Sequence, residues 1–256
     1  MVQLNDHSNT NQEIYDSTPS IYETKVRRAH ELNFYSIFPE NFKKYFGICK
    51  EYSMLSRERL YDFYTSINYV VDAKIEGDIV EIGCWAGGSI SLARMVLNET
   101  IVNGNKREVY GYDTFEGHAK PLSDEIDIWG KNQAELFDEL DGKPWAKQSE
   151  ESVKRNILRL VGNDQGIKLI KGKVEETSKK IKPKKISILR IDVDWYEPTL
   201  NSLEQFYPLI EPGGILIVDD YGHFSGSRKA VDLYFKDKPI KFFHTDYSCI
   251  TAIKNS

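Results

Sequence analysis

The sequence predicts a doubly wound α/β fold: a mostly parallel sheet with helices on both faces, ending in an antiparallel hairpin and preceded by a helical segment. Two observations carry this. From Gly77 onward, short apolar runs alternate with stretches of helical periodicity, the pattern of strands joined by helical crossovers. At the C-terminal end, PIKFFHT and YSCITAIK follow one another with little more than Asp246 between them, too short for a crossover, so these two strands are antiparallel.

Residues 1–18 are rich in Asn, Ser, Thr and Gln and read as a mobile tail. Residues 19–75 are helical in character, and Leu60, Phe63, Tyr64, Ile67, Val70 and Val71 fall at helical spacing after a cap at Ser56. Residues 76–256 carry the alternation. Strands are expected in GDIVEIG, EVYGYDTF, GIKLIKG, KISILRIDVD and GGILIVDDYG, and helices over Ser89–Leu97, Ser152–Leu160, Thr199–Tyr207 and Ser227–Lys236. Residues 118–150 are long for a strand-to-helix link and read as a substrate lid or a mobile surface insertion. The lysine-rich run Ser178–Ser187 reads as a solvated loop.

The bulk composition excludes several classes. A net charge of −5 argues against electrostatic nucleic-acid binding. No apolar run approaches the roughly 18–20 residues that span a bilayer, and the polar start lacks the basic and apolar regions of a signal peptide. Cys49, Cys84 and Cys249 are too few and scattered for a disulfide framework or a zinc site. A cytoplasmic protein with no membrane partner is expected.

Three stretches carry chemistry. In GDIVEIGCWAGGS a strand ends at Glu81, and Gly83, Gly87 and Gly88 let the chain turn tightly into a helix whose free N–H groups suit a ligand. The spacing fails the dinucleotide pattern, and a tight turn with no ligand is the alternative. In VYGYDTFEG, Asp113 ends the next strand, where an acid accepts hydrogen bonds from ribose hydroxyls; alone it would serve equally as a turn cap. Finally, RIDVDW and ILIVDD end successive strands with Asp192, Asp194, Asp219 and Asp220. Period-two alternation puts Asp192 and Asp194 on one side. Four carboxylates at one sheet edge call for a hard cation such as Mg²⁺; separately solvated caps are the alternative.

These stretches, with YSMLSRERLYDFYTSINYVVD and GSRKAVDLYF, resemble the macrocin-type (TylF-like) O-methyltransferases in order and spacing over roughly residues 50–236. The hairpin finish is likewise that of the Rossmann-like class I S-adenosylmethionine (SAM) methyltransferases. The resemblance implies a SAM- and Mg²⁺-dependent (or Mn²⁺-dependent) O-methyltransferase acting on sugar hydroxyls, with an N-terminal helical lid. It implies metal ligands at Asp192, Asp219 and Asp220. It places SAM on Glu81 and Asp113, with Met54, Ser56, Gly83, Gly87, Ser89, Thr114, Phe115 and Val174. His118 stands where the family commonly has Met, and Trp195 where it commonly has Leu. Both belong to the expected acceptor side, with Tyr196, Glu197, Tyr221 and His223.

In the expected reaction Asp194 takes the hydroxyl proton, or Asp192 serves as base and ligand together. The 24 lysines against 10 arginines, with abundant Ile and Asn, suggest an AT-rich genome. That favours a nucleotide-linked sugar bound for a surface polysaccharide, with a glycosylated natural product as the second choice. A nicotinamide oxidoreductase, the third, would need a proper dinucleotide loop. The aromatic residues Phe34, Tyr35, Phe38, Phe42, Tyr45 and Phe46 suggest self-association or a larger lid core.

Overall fold

The computed structural model describes residues 37–100, 107–142 and 146–255, so the expected tail, Phe34, Tyr35 and Trp145 lie outside the described residues. Two compact units are distinguished, Met1–Lys43 and Lys44–Ser256, and the sheet and the cleft belong to the second. After helix α1 (Glu40–Cys49) and a 3₁₀ turn, helix α2 runs Arg57–Asp72. Ser56 caps α2, its side chain accepting from the Arg59 N–H at 3.2 Å, and Leu60, Phe63, Ile67 and Val70 form the buried stripe.

The sheet then follows as β1 (Asp78–Ile82), helix α3 (Gly88–Thr100), β2 (Val109–Asp113), helices α4 (Gln133–Glu139) and α5 (Glu150–Val161), and β3 (Ile167–Lys171). It continues with α6 (Val174–Thr177), β4 (Ile186–Ile191), α7 (Tyr196–Phe206), β5 (Ile210–Val218), α8 (Ser225–Phe235), β6 (Phe243–His244) and β7 (Ile250–Ile253). Strand order is β3-β2-β1-β4-β5-β7-β6. The first five strands in that order, β3, β2, β1, β4 and β5, are parallel neighbours, and β7 runs antiparallel to both β5 and β6.

One face of the central strands presents Val80, Ile82, Leu189, Ile191, Leu216 and Val218 to Leu203 and Phe206 of α7 and to Val231 and Phe235 of α8. Each such side chain contributes roughly 1.5–3 kcal/mol by leaving water. Strand β5 is apolar because it lies inside the sheet, flanked by β4 and β7. Its carboxyl end falls beside those of β1 and β4, the edge where parallel sheets of this kind bind ligands.

One expectation about this edge is corrected. Strand β4 ends at Ile191, so strand alternation does not bring Asp192 and Asp194 together. A tight turn does it, with Asp194 in the left-handed region (φ 61°) and the Trp195 N–H on the Val193 carbonyl at 2.6 Å. Aspartate tolerates that conformation better than most residues.

Candidate active site

The carboxyl edge opens into a cleft of about 510 Å³. One wall is the loop after β1. Gly83 has φ +83°, and a Cβ there would stand 1.9 Å from the Asp192 carbonyl oxygen, so this loop and the one after β4 touch backbone to backbone. Gly88 is similarly required, since a Cβ would fall 2.4 Å from the Tyr52 carbonyl oxygen. Asp113 ties this wall to β2: one carboxylate oxygen accepts from the Cys84 and Trp85 N–H groups at 2.9 and 3.1 Å, the other from Phe115 N–H at 2.8 Å. Its remaining lone pair, on the oxygen that accepts from Phe115, suits a ribose hydroxyl.

Beneath the floor lies a charge network. Glu81 on β1 and Arg190 on β4 are register partners, and the Arg190 guanidinium meets Glu81 Oε1 at 2.6 Å and Asp192 Oδ2 at 2.9 Å. It also donates to Asp219, whose other oxygen accepts from Arg59 of α2. Arg59 reaches Asp246 as well, at 2.7 Å, so α2 is tied to the C-terminal hairpin through the site.

Asp192, Asp194 and Asp220 bring carboxylate oxygens within 4.8 Å of one another. Asp219 is not in that trio, a departure from the expected ligand set of Asp192, Asp219 and Asp220. Successive residues at the end of β5 face opposite ways: Asp219 turns to Arg190, while Asp220 Oδ2 accepts the Asp194 N–H at 3.2 Å.

Burial sets the charge states. It pushes Asp219 up to about 6, Asp192 adding to the effect while Arg190 and Arg59 oppose it. It raises Asp220 well above the ordinary carboxylate range, with Asp194, Asp192 and Asp219 adding to the effect. Burial also raises Asp194, against the pull of His118, whose Nε2 lies 3.3 Å from Asp194 Oδ2. Crowded, desolvated carboxylates fit a divalent cation: its charge removes the repulsion, and oxygen is its preferred donor.

The opposite wall is aromatic. The His118 and Trp195 rings meet edge-on at 5.6 Å, and Trp195 packs on Phe224 at 5.1 Å. His223 contacts Phe224, bonds the Tyr247 hydroxyl at 3.0 Å and carries the exposed Trp129 of residues 118–150. Within it a bridge joins Ile126 to Asn132, and a second, between Asp127 and Phe224, pins this stretch to the start of α8.

Of the residues expected in the site, Met54, Gly83, Asp113, Thr114 and Val174 line the cleft. Asp192, Asp194, Asp219 and Asp220 line the floor, and His118, Trp195, Glu197 and His223 the far wall. Ser56, Glu81, Gly87, Ser89, Phe115, Tyr196 and Tyr221 do not border it. Glu81 is fully buried and bonded to Ser89 at 2.7 Å and to Arg190, so it supports the loop from behind. Tyr221 turns outward to Asp232 at 2.9 Å. Sequence reasoning missed Arg190, Arg59 and Glu125. A lone arginine inside the apolar run ISILRI was the available signal for the first.

Among the described residues no helix is long and apolar enough to cross a membrane. A family model described as macrocin-O-methyltransferase (TylF) matches residues 48–251. Mycinamicin III 3''-O-methyltransferase of Micromonospora griseorubida is 28% identical over 183 residues, 72% of this chain and 70% of that protein. Demethyldecarbamoylnovobiocin O-methyltransferase of Streptomyces niveus is 30% identical over 183 residues, 72% of this chain and 67% of that protein. The structure of the O-methyltransferase NovP superposes with a TM-score of 0.71 at 26% identity, covering 80% of this chain and 83% of that one. The seven-stranded sheet, the carboxylate-floored cleft and these matches agree: the chain belongs to the macrocin O-methyltransferase family of SAM-dependent enzymes.

Proposed function

We propose that this enzyme methylates a hydroxyl of a sugar carried by a small-molecule aglycone, with a divalent cation such as Mg²⁺ at the carboxylate cluster. The observation that carries the proposal is the convergence of Asp192, Asp194 and Asp220 at the floor of the cleft. The mycinamicin and novobiocin relatives, named for glycosylated natural products, favour this acceptor class over the polysaccharide precursor that composition suggested.

SAM supplies the electrophilic methyl group, and the cation, when bound, lowers the cost of removing the acceptor proton. Asp192 and Asp220 would hold the cation, and Asp219 would complete the set only by turning an oxygen toward them from its bonds to Arg190 and Arg59. Asp194 accepts the hydroxyl proton as the new C–O bond forms and the methyl–sulfur bond breaks. Its left-handed backbone holds the carboxylate toward His118 and Asp220, and strain of this kind collects at working residues. Asp113 and the Gly83 loop hold the nucleoside end of SAM, and Trp195, Glu197 and His223 shape the acceptor side. Residues 118–122 and Glu125 form part of that wall.

The test is methyl transfer from SAM to a panel of glycosides and nucleotide sugars, followed by mass spectrometry with and without EDTA. Glycosides gaining one methylene, only without EDTA, are expected. Transfer confined to nucleotide sugars would restore the polysaccharide choice, and transfer that survives EDTA would remove the cation from the reaction.

A further inference from the structure

Glu125, in the segment between β2 and α4, is 3% exposed and lines the same cleft as Asp194. Its Oε1 accepts the Tyr196 N–H at 2.8 Å, at the start of α7, where Trp195 gives no side-chain cap. Its Oε2 is buried and has no hydrogen-bond partner. A desolvated carboxylate oxygen left unmet is costly, and such atoms mark places where a ligand group belongs.

The backbone that carries this side chain is held on both sides. The Gln133 N–H donates to the Glu125 carbonyl at 2.9 Å, and Ile126 and Ser225 exchange hydrogen bonds, both at 2.9 Å. Gly226 makes room for it, since a Cβ there would lie 2.4 Å from Glu125 Oε1. Thr199 Oγ1 and Ser227 Oγ are also buried without partners near this junction, but neither residue borders the cleft. Burial pushes the Glu125 carboxyl up to about 6, so above neutral pH it is ionised and only accepts hydrogen bonds. Glu197 lies close enough to add to the same negative charge, which suits the hydroxyls of a neutral sugar.

We propose that Glu125 binds the acceptor, its free carboxylate oxygen receiving a hydroxyl of the sugar that is methylated. The inference rests on the sugar-methylating function above, and one experiment separates the two. The acceptor that the wild-type enzyme methylates fastest in the panel is used to compare wild type with Glu125→Gln and Glu125→Ala. Melting and S-adenosylhomocysteine calorimetry are run alongside.

Glu125→Ala is expected to raise the acceptor KM roughly tenfold to a hundredfold, the range for a hydrogen bond to a charged group, with a smaller change in kcat. Glu125→Gln should fall between, because a hydroxyl both gives and receives hydrogen bonds, and should keep the wild-type melting temperature and S-adenosylhomocysteine affinity. An acceptor KM unchanged in both variants overturns the inference. So does a parallel loss of both substrates that tracks a lower melting temperature, which would make Glu125 a helix cap only. No methylation of any panel member by wild type would refute the function itself, and the inference with it.

Discussion

Replacing Arg190 by Met removes the cation from the centre of the buried network while keeping a side chain of similar length. Glu81 and Asp219 are 0% and 2% exposed, and both depend on this guanidinium. Breaking a buried pair from one side costs about 3–5 kcal/mol, because the remaining charge is stranded. For a domain of this size, that corresponds to a fall of roughly 10 °C in Tm. The pH dependence follows from the same groups. Burial pushes Glu81 up to about 7 and Asp219 up to about 6, in each case against Arg190. Both lie above their unfolded values of roughly 4, so the folded state binds protons more readily. Ionising them therefore costs stability as pH rises through that interval, and the cost is complete above pH 7. Without Arg190 the cost is larger, so the gap between variant and wild type should be small at pH 5 and full at pH 8. Urea unfolding at both values reads it directly. Glu81→Gln in the Arg190→Met background should recover part of the loss. A gap below about 1 kcal/mol at pH 8, or one that does not change with pH, would refute the network as described.

Calorimetry with Mn²⁺ should separate the aspartates: Asp219→Asn loses cation affinity, whereas Asp194→Asn keeps it and loses turnover. The reverse pattern would make Asp194 the ligand and Asp219 a support for Arg190. Gly83→Ala adds a Cβ to a left-handed residue against the Asp192 carbonyl, at a backbone cost of about 1–2 kcal/mol before the clash. A fall in turnover with Asp192 displaced is expected, and wild-type kinetics would contradict it. Ser56→Ala should lower stability by about 1 kcal/mol in urea titration through loss of the α2 cap.

The parallel sheet was legible because each strand and most helices carry their own periodicity. Helix α5, with Ser149 before it and Gly162 after it, announces both ends. The boundary at Asp192 was not legible. IDVD continues the alternation of ISILRI, and nothing local marks the left-handed turn at Asp194. Helix α4 was also missed: its seven residues are too short to show a period, and only the Asn132 cap, bonded to the Glu135 N–H at 3.0 Å, signals it. Glu125 carried no signal at all, since an acid in a polar loop looks solvated until the loop is seen pinned to α8.

ILIVDD and RIDVDW determined by themselves that negative charge gathers at one edge of a buried sheet, because strand composition and crossover order are local properties. Which acid does what was decided by the tertiary structure. The register of β1, β4 and β5 sets Arg190 beside Glu81 and hands it Asp219, while one reversed backbone angle turns Asp194 toward His118 and Asp220. Those partners come from distant parts of the chain, and an electrostatic environment is fixed only once folding has brought them within a few ångströms.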